Sequence, residues 1–149
     1  MKKSISVGRG AFAIFCDDVR LEAGGKLSFM GVYHGHLMIP LPHVVLPRLC
    51  AVIHLRTPAA EPFQELTFRL MRGEEVLVTH RVEKPVIPTM PSGTPDAADG
   101  EPSFSNTSVL HISPFEISAD CVLLARVETE SEILKAGGLV IRTNAVHQA

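Results

Sequence analysis

Phe15-Cys16-Asp17-Asp18-Val19-Arg20-Leu21-Glu22-Ala23-Gly24-Gly25-Lys26-Leu27-Ser28-Phe29-Met30-Gly31-Val32-Tyr33 holds two runs of alternating character folded about a Gly-Gly pair. Alternation with a period of two marks a half-buried β-strand, and glycines between two such runs mark a hairpin. The charges restrict its register. A loop of two or four residues sets Glu22 against Leu27 and Arg20 against Phe29, mixing charge with core. An odd loop such as Gly24-Gly25-Lys26 pairs Leu21 with Phe29 and Val19 with Gly31, and places Asp18, Arg20 and Glu22 beside Ser28, Met30 and Val32. One face is then apolar and the other charged, as a sheet with one buried face requires. Three-residue loops commonly use Gly in the left-handed conformation. On this register Asp18, Arg20 and Glu22 form an outward ladder of opposite charges, worth roughly 0.2–1 kcal/mol per pair and a guard against edge aggregation. Asp17 is the residue out of place, on the apolar face next to Tyr33, where a buried carboxylate needs a hydrogen bond.

Outward from the hairpin the chain continues in the same idiom. His34 to Ile39 extends the second strand until Pro40 and Pro42 break it, and a Pro-rich crossing runs to Pro47. Leu49, Ala51, Ile53 and Leu55 alternate with Cys50, Val52, His54 and Arg56 as a strand, followed by a loop over 57–62. Leu66, Phe68 and Leu70 form the cleanest half-buried pattern, with 76–82 returning as its partner. Residues 84–106 carry five prolines and no sustained period, which predicts a flexible loop or a partner-binding excursion. Three more segments follow at 109–117, kinked at Pro114, at 121–128 and at 139–143, the last reached through a turn at Glu130-Ser131 or at Gly137-Gly138. Residues 1–10 read as a frayed tail or short edge segment. No segment repeats with the helical period of 3.6. The expected fold is all-β: an antiparallel β-sandwich, immunoglobulin-like or a related Greek key, of about 7–8 strands. It forms one domain over 1–149, with the flexible loop at 84–106.

Composition narrows the function classes. The net charge of −2 comes from interspersed residues with no basic run, so no nucleic-acid partner is expected. The three cysteines, Cys16, Cys50 and Cys121, are odd in number, far apart in sequence and outside any Cys-x-x-Cys pair. That pattern predicts a reducing compartment and buried thiols acting as small apolar side chains, without a disulfide framework or zinc ribbon. The apolar run 11–16 is shorter than the roughly 7–15 residues of a signal core, and Phe15 is too large for a lipoprotein cleavage site. No run approaches the ~20 apolar residues of a membrane helix. A cytoplasmic location and no membrane contact are expected.

Two constellations suggest ligand chemistry. His34-x-His36 resembles the paired His of cupin strands, where residues i and i+2 share a face and a metal, but the Glu that follows in cupins is missing. Asp17-Asp18 suggests a loop-edge calcium site, since Ca²⁺ takes about six to eight oxygens, with Asp96 and Asp99 as further donors. Adjacent Asp residues on a regular strand point to opposite faces, so both ligate only if the backbone kinks. No catalytic residue and no cofactor is nominated: the Gly-x-Ser-x-Gly, phosphate-loop and His-Glu-x-x-His patterns are absent. Cys50 and His54 share a strand face roughly 13 Å apart, too far for a nucleophile and its base.

Phe15-Cys16-Asp17-Asp18-Val19-Arg20-x-Glu22-x-Gly24-Gly25-Lys26-x-Ser28-x-x-Gly31-x-Tyr33 resembles the N-terminal signature of an uncharacterised family of small bacterial proteins. A looser likeness follows at Leu46-Pro47-Arg48-Leu49 and Phe68-Arg69-Leu70. The signature covers about an eighth of the chain; it implies bacterial origin and a shared fold and transfers no catalytic residue. The expected function is a non-enzymatic interaction module acting through an edge strand or the long loop, with a protein partner or self-association. The alternative is a divalent-metal or small-ligand site using Asp17 and Asp18, with Tyr33, His34 and His36 as neighbours.

Overall fold

The computed structural model describes residues 8–83 and 102–144. They form eleven strands and no helix: β1 (Gly10–Leu21), β2 (Leu27–Tyr33), β3 (His36–Ile39), β4 (Val44–Leu46), β5 (Leu49–Pro58), β6 (Leu66–Arg72), β7 (Glu75–Val82), β8 (Ser103–Ile112), β9 (Phe115–Ile117), β10 (Cys121–Thr129) and β11 (Ile133–Thr143). One sheet has the order β2-β1-β5-β8, a second β3-β11-β10-β6-β7, and β4 pairs with β9. All pairings are antiparallel except β3 with β11, which is parallel.

The strand count exceeds the expected 7–8 for local reasons. Gly35, at φ 81°, cuts His36–Ile39 away from β2, and that segment joins the other sheet as β3. A short strand, β4, forms inside the Pro-rich crossing, and Pro114 with its cis bond separates β9 from β8. The expected loop at 84–106 is also too long at its end. Ser103 to Asn106 belong to β8, because β5 runs to Pro58 and its last residues pair with them; 84–101 lie outside the described residues. The turn before β11 is at Glu130-Ser131, where the Thr129 N–H donates to the Glu132 carbonyl at 2.9 Å. Gly137-Gly138 lies within β11, beside a register shift against Ala125 and Arg126.

The main core draws on both larger sheets. Phe15, Leu49, Ala51, Ile53 and Leu55 meet Leu66, Phe68, Leu70, Leu123, Val127, Leu139 and Ile141, all buried. Each large apolar side chain buried this way contributes about 1.5–3 kcal/mol. The alternation of Leu66, Phe68 and Leu70 is kept, with Thr67 and Arg69 less buried between them.

The first hairpin has an odd loop, as the charges require, but two units from the expected register. Leu21 pairs with Leu27, Val19 with Phe29 and Arg20 with Ser28, and the Glu22 N–H donates to the Lys26 carbonyl at 2.7 Å. The loop is therefore Ala23-Gly24-Gly25, with both glycines at positive φ.

Farther along, the hairpin does something that alternation does not predict. Phe12 is the register partner of His54 on β5, and Phe29 is the partner of Val19. From Phe12 to Val19 a flat strand at about 3.3 Å per residue spans roughly 23 Å. Yet the Phe29 and His54 rings are 6.5 Å apart. The hairpin thus doubles back over the outer face of its own sheet, and residues 18–30 form an arm lying on that face. Val19 and Phe29 pack there on Ile14, Cys16, Cys50 and Val52, a second apolar cluster. This covering explains why β5 is buried on both faces, with Val52 at 0% exposure although it points away from the main core.

Arg9 anchors the start of β1. Its guanidinium donates to Thr57 Oγ1 at 3.2 Å and to the carbonyls of Glu61 and Pro62 at 3.0 and 3.1 Å. It also pairs with Glu130 and lies over the Phe63 ring at 4.7 Å. The frayed tail or short edge segment expected over 1–10 is not free at its end, since Arg9 is anchored and Gly10 begins β1; 1–7 are outside the described residues. Burial opposes ionisation of Glu130, but the N–H groups of Gln64 and Glu65 and the Arg9 cation outweigh it and hold its pKa at about 2. A depressed folded value stabilises the fold above the free value of 4.5 and loses that contribution as pH falls towards 2. Glu130→Gln is therefore expected to unfold at lower urea than the wild type near neutrality, with the gap closing as pH falls through that window. A gap independent of pH contradicts this assignment.

Candidate functional site

The hinge of the arm is also where the candidate site lies. Between the pairs Cys16–Val32 and Asp18–Met30 the ladder has no pairing at Asp17 and Gly31. Gly31 has φ 65°, and a Cβ there would lie 2.0 Å from Asp17 Oδ2. Only glycine fits, both for its left-handed backbone and for the carboxylate pressed against it. Tyr33, two residues on, donates its hydroxyl to Asp17 Oδ1. Burial and the neighbouring Asp17 carboxylate raise the Tyr33 phenol well above its ordinary value, so it remains a donor. Asp17 does sit beside Tyr33, but its carboxylate is exposed at the rim of the sheet rather than buried on the core side.

Asp18 is not part of a charge ladder along the strand. Its Oδ1 accepts from Arg48 Nη1 at 2.9 Å and from the Val19 N–H at 2.9 Å. Arg48 and Val19 together hold the Asp18 carboxyl below the usual carboxylate range, and Arg20 adds only a weaker field. The kink lets the two adjacent carboxylates, which a regular strand would send to opposite faces, line one cleft of about 640 Å³. Leu46, Pro47, Arg48 and Ser113 complete it. Ser113 Oγ donates to the Pro47 carbonyl at 2.8 Å and fixes the far wall to the loop that carries Arg48.

The remaining candidates go elsewhere. His34 and His36 are exposed on either side of Gly35, so the shared-face geometry of an i, i+2 pair is lost. Among the described residues no three His, Cys, Asp or Glu side chains gather closely enough to hold a metal ion; Asp96 and Asp99 lie outside them. His54 stacks on Phe12 at 4.7 Å and shares a hydrogen bond with Thr107 at 2.9 Å, and burial lowers its pKa. Arg48 and Ser113 were not singled out by sequence. Arg48 stands in the sequence as an isolated cation within a Pro-rich crossing and within the Leu46-Pro47-Arg48-Leu49 likeness, neither of which ties it to Asp18, and Ser113 carries no signal. Chemically, the cleft offers two carboxylates, one guanidinium and a short apolar wall, groups able to hydrogen-bond a polar molecule.

No protein-family model matches the sequence, and no curated protein matches it.

The hinge makes a direct test. Gly31→Ala is expected to destabilise the fold by at least the ~1–3 kcal/mol of a non-Gly residue held at left-handed backbone. Asp17→Ala in the same chain is expected to relieve the steric part, leaving the backbone cost. Urea midpoints of the single and double variants separate the two. A Gly31→Ala protein as stable as wild type would remove the hinge from the description.

Proposed function

We propose that the protein is a non-enzymatic antiparallel β-sandwich that works by protein–protein contact, with the β1–β2 arm as its contact surface. The sandwich assignment is supported by a main core that takes side chains from both larger sheets. The contact surface rests on one observation: the last apolar pair of the arm before its loop is uncovered. Leu21 and Leu27, paired next to the loop, are 76% and 37% exposed, and Phe12, stacked on His54, is 56% exposed. Leu27 lies two residues from Phe29 on the same strand, so the leucine pair continues the stripe that covers Val52 and overhangs it. Grouped apolar side chains at the surface mark interaction sites more often than isolated ones do. A second copy of the chain is the first partner to test.

Light scattering over a concentration series is expected to show reversible dimer or larger species. Replacing Leu21 and Leu27 with Ser is expected to weaken that association at least tenfold, about 1.4 kcal/mol, with the urea midpoint little changed. A strict monomer that also retains no protein in pull-down contradicts the proposal.

The cleft supports a second reading, a small-ligand site, because the kink brings Asp17 and Asp18 to one wall. The Arg48 guanidinium already in place favours a small polar molecule over a divalent cation, which it would repel. A thermal-shift screen of small polar compounds against wild type and Arg48→Ala is expected to find a stabiliser that the variant loses. Equal shifts in both proteins would place the binding elsewhere.

A further inference from the structure

Cys16 and Cys50, 34 positions apart by number, are register partners across β1 and β5. Directly opposed residues of an antiparallel pair have Cα atoms about 4.5–5.5 Å apart. Disulfides span about 4.4–6.8 Å between Cα atoms, so the backbone is already in range. Their Cβ atoms, about 4.5–5.5 Å apart in such pairs, need to approach by only about an ångström. Each thiol is near enough to the other to act on its ionisation. Both also reach the hinge: Cys16 Sγ donates to the Asp18 carbonyl at 3.5 Å and Cys50 Sγ to the Asp17 carbonyl at 3.8 Å. The pair lies beneath the arm at 0% and 2% exposure, packed with Val19 and Phe29.

We propose that Cys16 and Cys50 are a reversible redox pair, oxidised by a hydroperoxide to a cross-strand disulfide under the arm. One thiolate sulfur attacks the peroxide O–O bond and becomes a sulfenic acid, while the distal oxygen leaves as alcohol or water with the proton that thiol has lost. The second sulfur then displaces the hydroxyl from the sulfenic sulfur; the S–S bond forms and water departs with the second proton. Two thiols lose two electrons in all, the peroxide gains them, and a dithiol reductant reverses the reaction by exchange. Burial is the largest influence raising the Cys16 thiol, to about 11, and it raises Cys50 too. The closed pair is therefore a poor nucleophile. Attack waits for the arm to lift, so arm opening sets the rate. Once formed, the disulfide also removes the two S–H donors from the hinge carbonyls. This inference is independent of what the arm binds.

Non-reducing peptide mapping tests it on the native protein. Trypsin places Cys16 in residues 10–20 and Cys50 in 49–56, with the half-buried Cys121 in another peptide as an internal control. After brief treatment with hydrogen peroxide and alkylation in denaturant, the expected product is a linked 10–20/49–56 peptide from monomeric protein. It should disappear after dithiothreitol, while Cys121 remains alkylated. Phe29→Ala, which thins the cover, is expected to form the link several-fold faster. The proposal is overturned if Cys16 and Cys50 stay alkylatable while Cys121 oxidises, if either links instead to Cys121, or if the link forms only between two chains. The wild-type map requires no cysteine substitution, so a misfolded variant cannot obscure the answer.

Discussion

The Asp17 carboxylate lies where a side chain on residue 31 would have to go. With glycine there, β2 takes a left-handed step opposite Asp17, the ladder skips one pairing, and the hairpin beyond it is free to turn. Tyr33 holds the same carboxylate from the other side. The arm over the outer face, the double burial of β5 and the cleft shared by Asp17 and Asp18 all depend on that one close approach.

Apolar packing rather than charge holds the arm down. The Asp18–Arg48 pair is about half exposed at both ends, where water and salt screen it. Val19 and Phe29 pack against Cys16, Cys50 and Val52 and take apolar surface out of water, a contribution that salt does not screen. The ion pair is better understood as orienting the hinge, since Asp18 bonds Arg48 and the adjacent Val19 N–H with the same oxygen. Cys16, Asp17 and Asp18 therefore put the thiol pair, the hinge and the cleft side by side on one short stretch of β1, with the exposed Leu21–Leu27 pair near the arm's free end.

Much of this was legible in the sequence, and the part that was not has physical reasons. Alternation of charged and apolar residues settles whether a hairpin loop is odd or even, because the wrong parity turns every side chain over. It does not settle position, and a shift by two residues keeps both faces intact; that is the difference between the expected loop and Ala23-Gly24-Gly25. Gly31 stood within a strand pattern, a recognised sign of a bulge or close backbone approach. Its partner Asp17 is the residue that the alternation leaves out of place. The two signals belong to one feature, but only the fold shows them in contact. The facing of Cys16 and Cys50, the reach of Arg48 and the clamp of Arg9 on Thr57 and Glu130 join segments distant in sequence, and no local period encodes such meetings. His34 and His36 do not share a strand face, because Gly35 between them takes positive φ and lies between β2 and β3.

The folded-back arm is the central claim, and a through-space proton contact tests it most directly. In a nuclear Overhauser spectrum of the native protein, the Phe29 ring is expected to show cross-peaks to the His54 ring and to the Val52 methyls, two strands away in the sheet order. A Phe29 ring with cross-peaks only to its hairpin neighbours, such as Val19 and Met30, would mean an extended hairpin and would contradict the account.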